Sequence, residues 1–271
     1  MASAGTTTGL ERLAEAFARA TGEGRRAALM PYMMGGFPSL ETSREIAVAY
    51  AEAGADVIEL GVPFSDPLAD GPVIHAAGTA ALEAGATLER VLELVVAIPE
   101  HVPVVVMCYS NPILARGLER FVGALVRAGA SGLIVPDLPF EEASELRSIC
   151  DRDGVALVPL VAPTTPPERL ARIGRLARGF LYTVSVTGTT GERAELDDEV
   201  IARAAAHASV PVAVGFGIST PRHAAAAADA GANGVIIGSR LVRAAGEADD
   251  AAAAVGELVA EYAAALRAPS G

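Results

Sequence analysis

Three stretches of this chain repeat one pattern: EAGADVIELG at 52–61, RAGASGLIVPD at 127–137 and DAGANGVIIG at 229–238. Each reads as the end of a helix, a glycine stop and a short apolar strand. A helix that feeds a buried strand, repeated along a chain, builds a parallel sheet from βα units. The strands are near-continuous apolar runs rather than alternating ones, as a sheet covered on both faces requires.

Eight such strands are expected, near 29–34, 57–61, 104–108, 132–135, 157–161, 180–185, 212–215 and 234–238. Helical stretches between them include 40–53, 88–98, 141–151 and 221–230. An amphipathic stretch at 10–20 precedes the first strand, placed to cap the bottom of a barrel, and 72–83 reads as an extra helix inserted after the second strand. Eight strands alternating with helices in about 250 residues predict an α/β fold, a single-domain (β/α)₈ TIM barrel. The rival is an open doubly wound sheet. It is disfavoured because the first βα turn lacks GxGxxG and open sheets seldom carry eight equal repeats. No internal linker is evident, so 1–271 reads as one domain with residues 1–9 outside the fold.

Composition narrows the chemistry. All 21 basic residues are arginines, which removes any mechanism needing a Schiff-base lysine. The net charge of −12 argues against nucleic acid or an anionic membrane surface as partner, and no apolar run approaches the roughly 18 residues of a membrane span. The N-terminus has no apolar secretory core before its first charges. Two cysteines, Cys108 and Cys150, are too few for a disulfide scaffold; Cys108 reads as a core thiol, and a reducing cytoplasm fits.

Sites on this fold lie on loops at the C-terminal ends of the strands. Glycine-bearing loops follow three neighbouring strands there: 185–191, 215–219 and 238–240. Their backbone N–H groups, with a helix starting near Ser239 or Arg240, suit a phosphate. An acidic protein can thus hold an anion through backbone dipoles, without lysine.

Acidic residues cluster after the second strand, in IELGVPFSDPLADGP. Strand parity puts Ile58 and Leu60 on one face and Val57, Glu59 and Gly61 on the other. The isoleucine and leucine suit the helix-covered outside, so Glu59 points into the barrel near its mouth. Arg240 is the only arginine near a predicted strand's C-terminal end, so Glu59 is expected to be unpaired, with a raised pKa suited to proton exchange near neutrality. Asp66 and Asp70 lie in the loop beyond, and parity does not rank them. Asp137 reads as a helix N-cap before EEASEL. His101, His207 and His223 are badly placed for a metal, and His75 alone is a weak signal. What remains is metal-free, lysine-free acid–base chemistry on a phosphorylated substrate.

The long match ELGVPFSDPLADGP, together with MCYSNPI, LIVPDLPFEE, LVAPTTP, GFGIS and IIGSR, resembles the tryptophan synthase alpha subunit family from about Arg25 onward. The resemblance implies a TIM-barrel lyase that splits indole-3-glycerol phosphate into indole and glyceraldehyde 3-phosphate, with no cofactor or metal. It implies Glu59 as the acid–base catalyst and Asp70 as the acceptor of the indole N–H. It puts phosphate contacts on Gly191, Gly217, Gly238 and Ser239, and an indole pocket on Tyr32, Tyr109, Leu160, Tyr182 and Phe216. It also implies a pyridoxal-phosphate-dependent beta subunit in an α₂β₂ heterotetramer, met through Pro63 and Asp66. The alternatives are a stand-alone lyase releasing free indole and a non-catalytic activating subunit. Departures from the family pattern are MMGGFP, with Met34 in place of a threonine-containing turn, His75 in place of a glutamine, and the loop SVTGTTGER.

Overall fold

The computed structural model describes residues 7–184, 198–215 and 217–267. The chain opens with α1 (Gly9–Gly22), β1 (Ala28–Met34), α2 (Leu40–Glu52), β2 (Ile58–Gly61), α3 (Pro72–Glu83), α4 (Leu88–Ala97) and β3 (Val104–Met107). It continues through α5 (Ser110–Arg116), α6 (Leu118–Ala128), β4 (Gly132–Ile134), α7 (Ser144–Asp153), β5 (Ala156–Val158) and β6 (Leu160–Val161). The last part is α8 (Pro167–Leu176), β7 (Leu181–Val184), α9 (Asp198–His207), β8 (Val212–Gly215), α10 (Pro221–Asp229), β9 (Gly234–Ile237), α11 (Ser239–Glu247) and α12 (Ala251–Ala265).

All sheet pairings are parallel, in the order β5-β4-β3-β2-β1-β9-β8-β7-β6. The two ends of that order are one chain segment. The expected fifth strand is divided at Pro159, which has no N–H to give to a ladder. Its carbonyl still accepts from Tyr182 N at 3.0 Å, so β5 faces β4, β6 faces β7, and the sheet closes into a TIM barrel.

The inward faces of the strands build one interior cluster, with Ala28, Met30, Val57, Val105, Val158 and Ile236 among its members. α1 closes the bottom of this interior with Leu13, Ala16, Phe17 and Ala20, and Phe17 meets Phe180 with ring centroids 5.9 Å apart. The helix starts earlier than its apolar pattern suggests. Thr8 caps it in a capping box with Glu11, so Thr8 and Gly9 belong to the fold rather than preceding it. α3 occupies the residues expected for the inserted helix, whereas α5 is a helix the sequence reading did not separate.

At the barrel's lower rim Asp56 is buried, and its Oδ2 accepts from Arg25 Nη1 at 2.7 Å and from Leu29 N at 2.8 Å. One carboxylate thereby joins the entry to β1 with the entry to β2. Removing one partner of a buried pair strands the other's charge, at a cost of about 3 kcal/mol or more. Asp56→Ala is expected to lower unfolding stability by that order in urea titration; a loss below about 0.5 kcal/mol would show the pair to be dispensable.

Candidate active site

Glu59 lies at the barrel mouth because β2 ends two residues later at Gly61 and because the strand period turns it inward beside Val57. It is 1% exposed, and its Oε2 has no hydrogen-bond partner among the described residues. Burial, and then the charge of Asp70, push its carboxyl up to about 8. That is the protonation range of a group able both to give and to take a proton near neutrality.

The loop after β2 brings Asp70 back over the mouth. Tyr109, at the start of α5, fixes it there: its hydroxyl donates to Asp70 Oδ1 at 2.9 Å and accepts from Ala69 N at 3.1 Å. The Tyr109 ring stacks on Phe64 of the same loop, with centroids 5.3 Å apart and planes 29° apart. Phe64 is a site-shaping residue that the sequence reading missed; its place in a loop gave no periodic signal. Asp70 is held above the ordinary carboxylate range by burial, against the lowering effects of the Tyr109 hydroxyl and of His75.

Two further phenols complete the mouth. Tyr32 pairs in register with Glu59 on the neighbouring strand, and Tyr182 pairs with Leu160. Both are buried, and their hydroxyls are pushed well above the usual phenol range, first by burial and then by acidic neighbours. Glu59 acts on both of them, and Asp70 also acts on Tyr32. Each ring lies across a glycine on an adjacent strand. A Cβ on Gly61 would sit 2.1 Å from the Tyr32 hydroxyl, and one on Gly215 would sit 2.1 Å from the Tyr182 hydroxyl. The missing side chains are the space the phenols occupy.

Two of the candidate anion loops, those after β8 and β9, lie at the same end of the barrel. Gly217 takes a positive φ of 79° after β8, and its carbonyl lies 3.1 Å from His223 Nδ1 in the first turn of α10. Gly238 caps α11 and Ser239 is its first residue, which aims a helix N-terminus at the mouth. A Cβ on Gly238 would meet the Tyr32 Cβ at 3.9 Å, so the helix start and the aromatic pocket are in contact range. Gly191 and Phe216, also expected in the site, lie outside the described residues, as does Thr190.

Three sequence-selected residues fall elsewhere. Asp66 is exposed on the loop after β2, and Pro63 of that loop is buried. Asp137 does not cap the following helix. Its two oxygens accept from Ser110 N at 2.8 Å and Ser110 Oγ at 2.6 Å, so it caps α5 from the end of β4. Without that cap, α7 starts only at Ser144, later than the helix expected from 141. Met34 is buried, with its sulfur 4.0 Å from the Tyr32 hydroxyl, so this departure from the family pattern lies against the pocket.

Similarity to known proteins agrees with this arrangement. The family model described as tryptophan synthase alpha chain matches residues 17–268. The tryptophan synthase alpha chain of Prochlorococcus marinus (strain MIT 9313) is 50% identical over 232 residues, covering 84% of each chain. That of Synechococcus sp. (strain CC9902) is 51% identical over 223 residues, covering 80% of this chain and 83% of its own. Among solved structures, a chain of Mycobacterium tuberculosis tryptophan synthase superposes with a TM-score of 0.88 at 39% identity, covering 95% of this chain and 98% of that one. The alpha subunit from Legionella pneumophila str. Paris gives 0.86 at 34% identity, covering 94% and 98%. A closed parallel barrel with an unpaired glutamate and a tethered aspartate at its mouth, matched along nearly its whole length, belongs to the tryptophan synthase alpha chain family.

Proposed function

We propose that this chain cleaves indole-3-glycerol phosphate to indole and glyceraldehyde 3-phosphate, as the carbon–carbon lyase subunit of L-tryptophan biosynthesis. The observation that carries the reading is Glu59, a buried carboxyl with one oxygen unpaired among the described residues and electrostatically coupled to Tyr32, Tyr182 and Asp70. In a retro-aldol cleavage the electrons of the breaking C–C bond need a sink. Protonation at indole C3 makes the ring an iminium-like acceptor, so neither a lysine imine nor a metal is required. Glu59 gives that proton and takes the one on the glycerol hydroxyl as the hydroxyl becomes an aldehyde. Asp70, fixed by Tyr109, accepts the indole N–H and stabilises the positive charge on the ring.

The indole is read as lying among Tyr32, Tyr109, Leu160, Tyr182 and Phe216. The phosphate is read as lying on the N–H groups around Gly191, Gly217, Gly238 and Ser239. An anion at the α11 N-terminus gains from the helix dipole without any lysine. The chain is further read as one domain working with a beta subunit in an α₂β₂ assembly. Support for a partner face comes from the loop after β2, which exposes Asp66 and leaves Leu68 87% accessible. The cytoplasm is the compartment inferred, from two buried cysteines that are unpaired. No helix among the described residues is long and apolar enough to cross a membrane.

Purified chain assayed for indole release from indole-3-glycerol phosphate, alone and with a beta subunit, tests the reading directly. Low turnover alone and strong activation by the partner are expected; fast turnover alone would favour a stand-alone lyase.

Glu59→Gln is expected to lower kcat at least about 100-fold. Its stability should move the other way. Between pH 4.5 and about 8 the unfolded chain releases the Glu59 proton while the folded chain keeps it, so wild-type stability falls across that window and levels off above it. The glutamine variant lacks this loss, so its advantage over wild type should grow up to about pH 8 in denaturation series. Turnover like wild type, or a pH-independent stability difference, would contradict the assigned role.

For Asp66→Ala, activation by the beta subunit should weaken while the activity of the isolated chain is largely kept. Equal loss of both would rule out a coupling role.

A further inference from the structure

Asp137 gives its carboxylate to a neutral partner. It stands just beyond β4, at the catalytic end of the barrel, and is partly buried. Arg147 and Arg169 line the same cavity, yet among the described residues Asp137 forms no ion pair with either. Both of its oxygens accept from Ser110 instead, one from the amide at 2.8 Å and the other from the hydroxyl at 2.6 Å.

Those two bonds hold the start of a short helix. α5 has seven residues, and Ile113 is its one buried side chain. A helix of that length has too few turns to stand on its own hydrogen bonds, and one apolar anchor does little to fix its place. Its N-cap residue is Tyr109, whose side chain makes no capping bond. That side chain reaches the other way, accepting from Ala69 N at 3.1 Å and donating to Asp70 Oδ1 at 2.9 Å. Asp137 therefore closes the helix start from β4, two bonds on the residue next to the tyrosine that holds Asp70. A helix cap is by itself an ordinary structural feature. Here the capped end carries the only side chain bonded to Asp70 among the described residues.

We propose that Asp137 is a positioning residue for Asp70. It fixes the backbone of Ser110 and Tyr109, and thereby the point to which the Tyr109 hydroxyl draws the loop after β2. Phe64 stacks on the same ring, so Tyr109 is held by the loop at its ring and by Asp137 at its backbone. The consequence for catalysis rests on the lyase reading, in which Asp70 accepts the indole N–H as positive charge develops on the ring. Misplacing Asp70 then costs more in the transition state than in substrate binding. Asparagine at 137 keeps an oxygen for the Ser110 amide and offers an N–H to the Ser110 hydroxyl, so it preserves the geometry without the charge.

The test uses the full chain. Asp137→Ala should lower kcat about tenfold or more while KM changes less than about threefold. Asp137→Asn should recover most of that loss. Tyr109→Phe removes the hydroxyl that the cap aims, so adding Asp137→Ala to it should cost less than about twofold further. Amide exchange followed by NMR needs no substrate. The Ala69 amide should exchange at least about fivefold faster in Asp137→Ala, while those of Ile58 and Val106 in the strands keep their wild-type rates. Ser110→Ala removes only the hydroxyl bond and should move both readouts the same way by less; it carries the test if Asp137→Ala does not fold. Losses that multiply in the double variant, Ala69 exchange unchanged in both Asp137→Ala and Ser110→Ala, or faster exchange spread evenly over the strands would overturn the proposal. A wild-type chain without lyase activity would overturn the functional reading instead, and Ala69 exchange would still decide whether Asp137 positions the loop.

Discussion

A carboxyl group buried without a counter-charge is an unfavourable thing to fold around, and here the rest of the site is arranged about one. Glu59 has apolar side chains below it, Asp70 near it, and no ion pair among the described residues. Burial supplies the larger share of its raised pKa, and the second acid adds to it. An arginine at that point would return Glu59 to an ordinary carboxylate and remove its capacity to carry a proton near neutrality. The absence of a paired cation among the described residues is therefore as much a part of the site as the acids are. It also suits the proposed reading, in which backbone N–H groups at the neighbouring strand ends hold the phosphate. A lysine or arginine reaching for a phosphate across the same small mouth would lie within the field of Glu59.

Space in the mouth is allotted by exchange between strands. Tyr32 and Tyr182 project over Gly61 and Gly215, each glycine on a strand adjacent to its tyrosine's own. Two large rings can then line a barrel whose interior would otherwise be filled by side chains. The glycines are thus set by shape rather than by turn conformation, since each ends a strand and neither has a positive φ.

Much of the fold and part of the site could be read from residue order, because both follow fixed periods. Alternation in a strand has period two, so Glu59 could be turned inward from its neighbours alone. The helix–glycine–strand repeats located most barrel strands to within one or two residues. What could not be read depends on contacts between distant loops. The Tyr109 hydroxyl reaches Asp70 across 39 residues, and Asp137 reaches Ser110 across 27. Neither carries a local signal, so parity left Asp66 and Asp70 equivalent and assigned Asp137 to the wrong helix. The division at Pro159 likewise follows from how neighbouring elements pair. The functional roles of individual residues came from resemblance to a family, not from periodicity.

The Tyr109 hydroxyl touches both the backbone and the acid of one loop, which makes that phenol a mechanical and an electrical link at once. As long as the loop is seated, Asp70 stays close enough to raise the Glu59 pKa. Any force that lifts the exposed side of the loop, where Asp66 and Leu68 lie, would carry Asp70 away and make Glu59 easier to ionise. The position of a surface segment is thereby written into the acidity of a group at the centre of the barrel. Contact made outside can be sensed inside with no rearrangement of the strands between them.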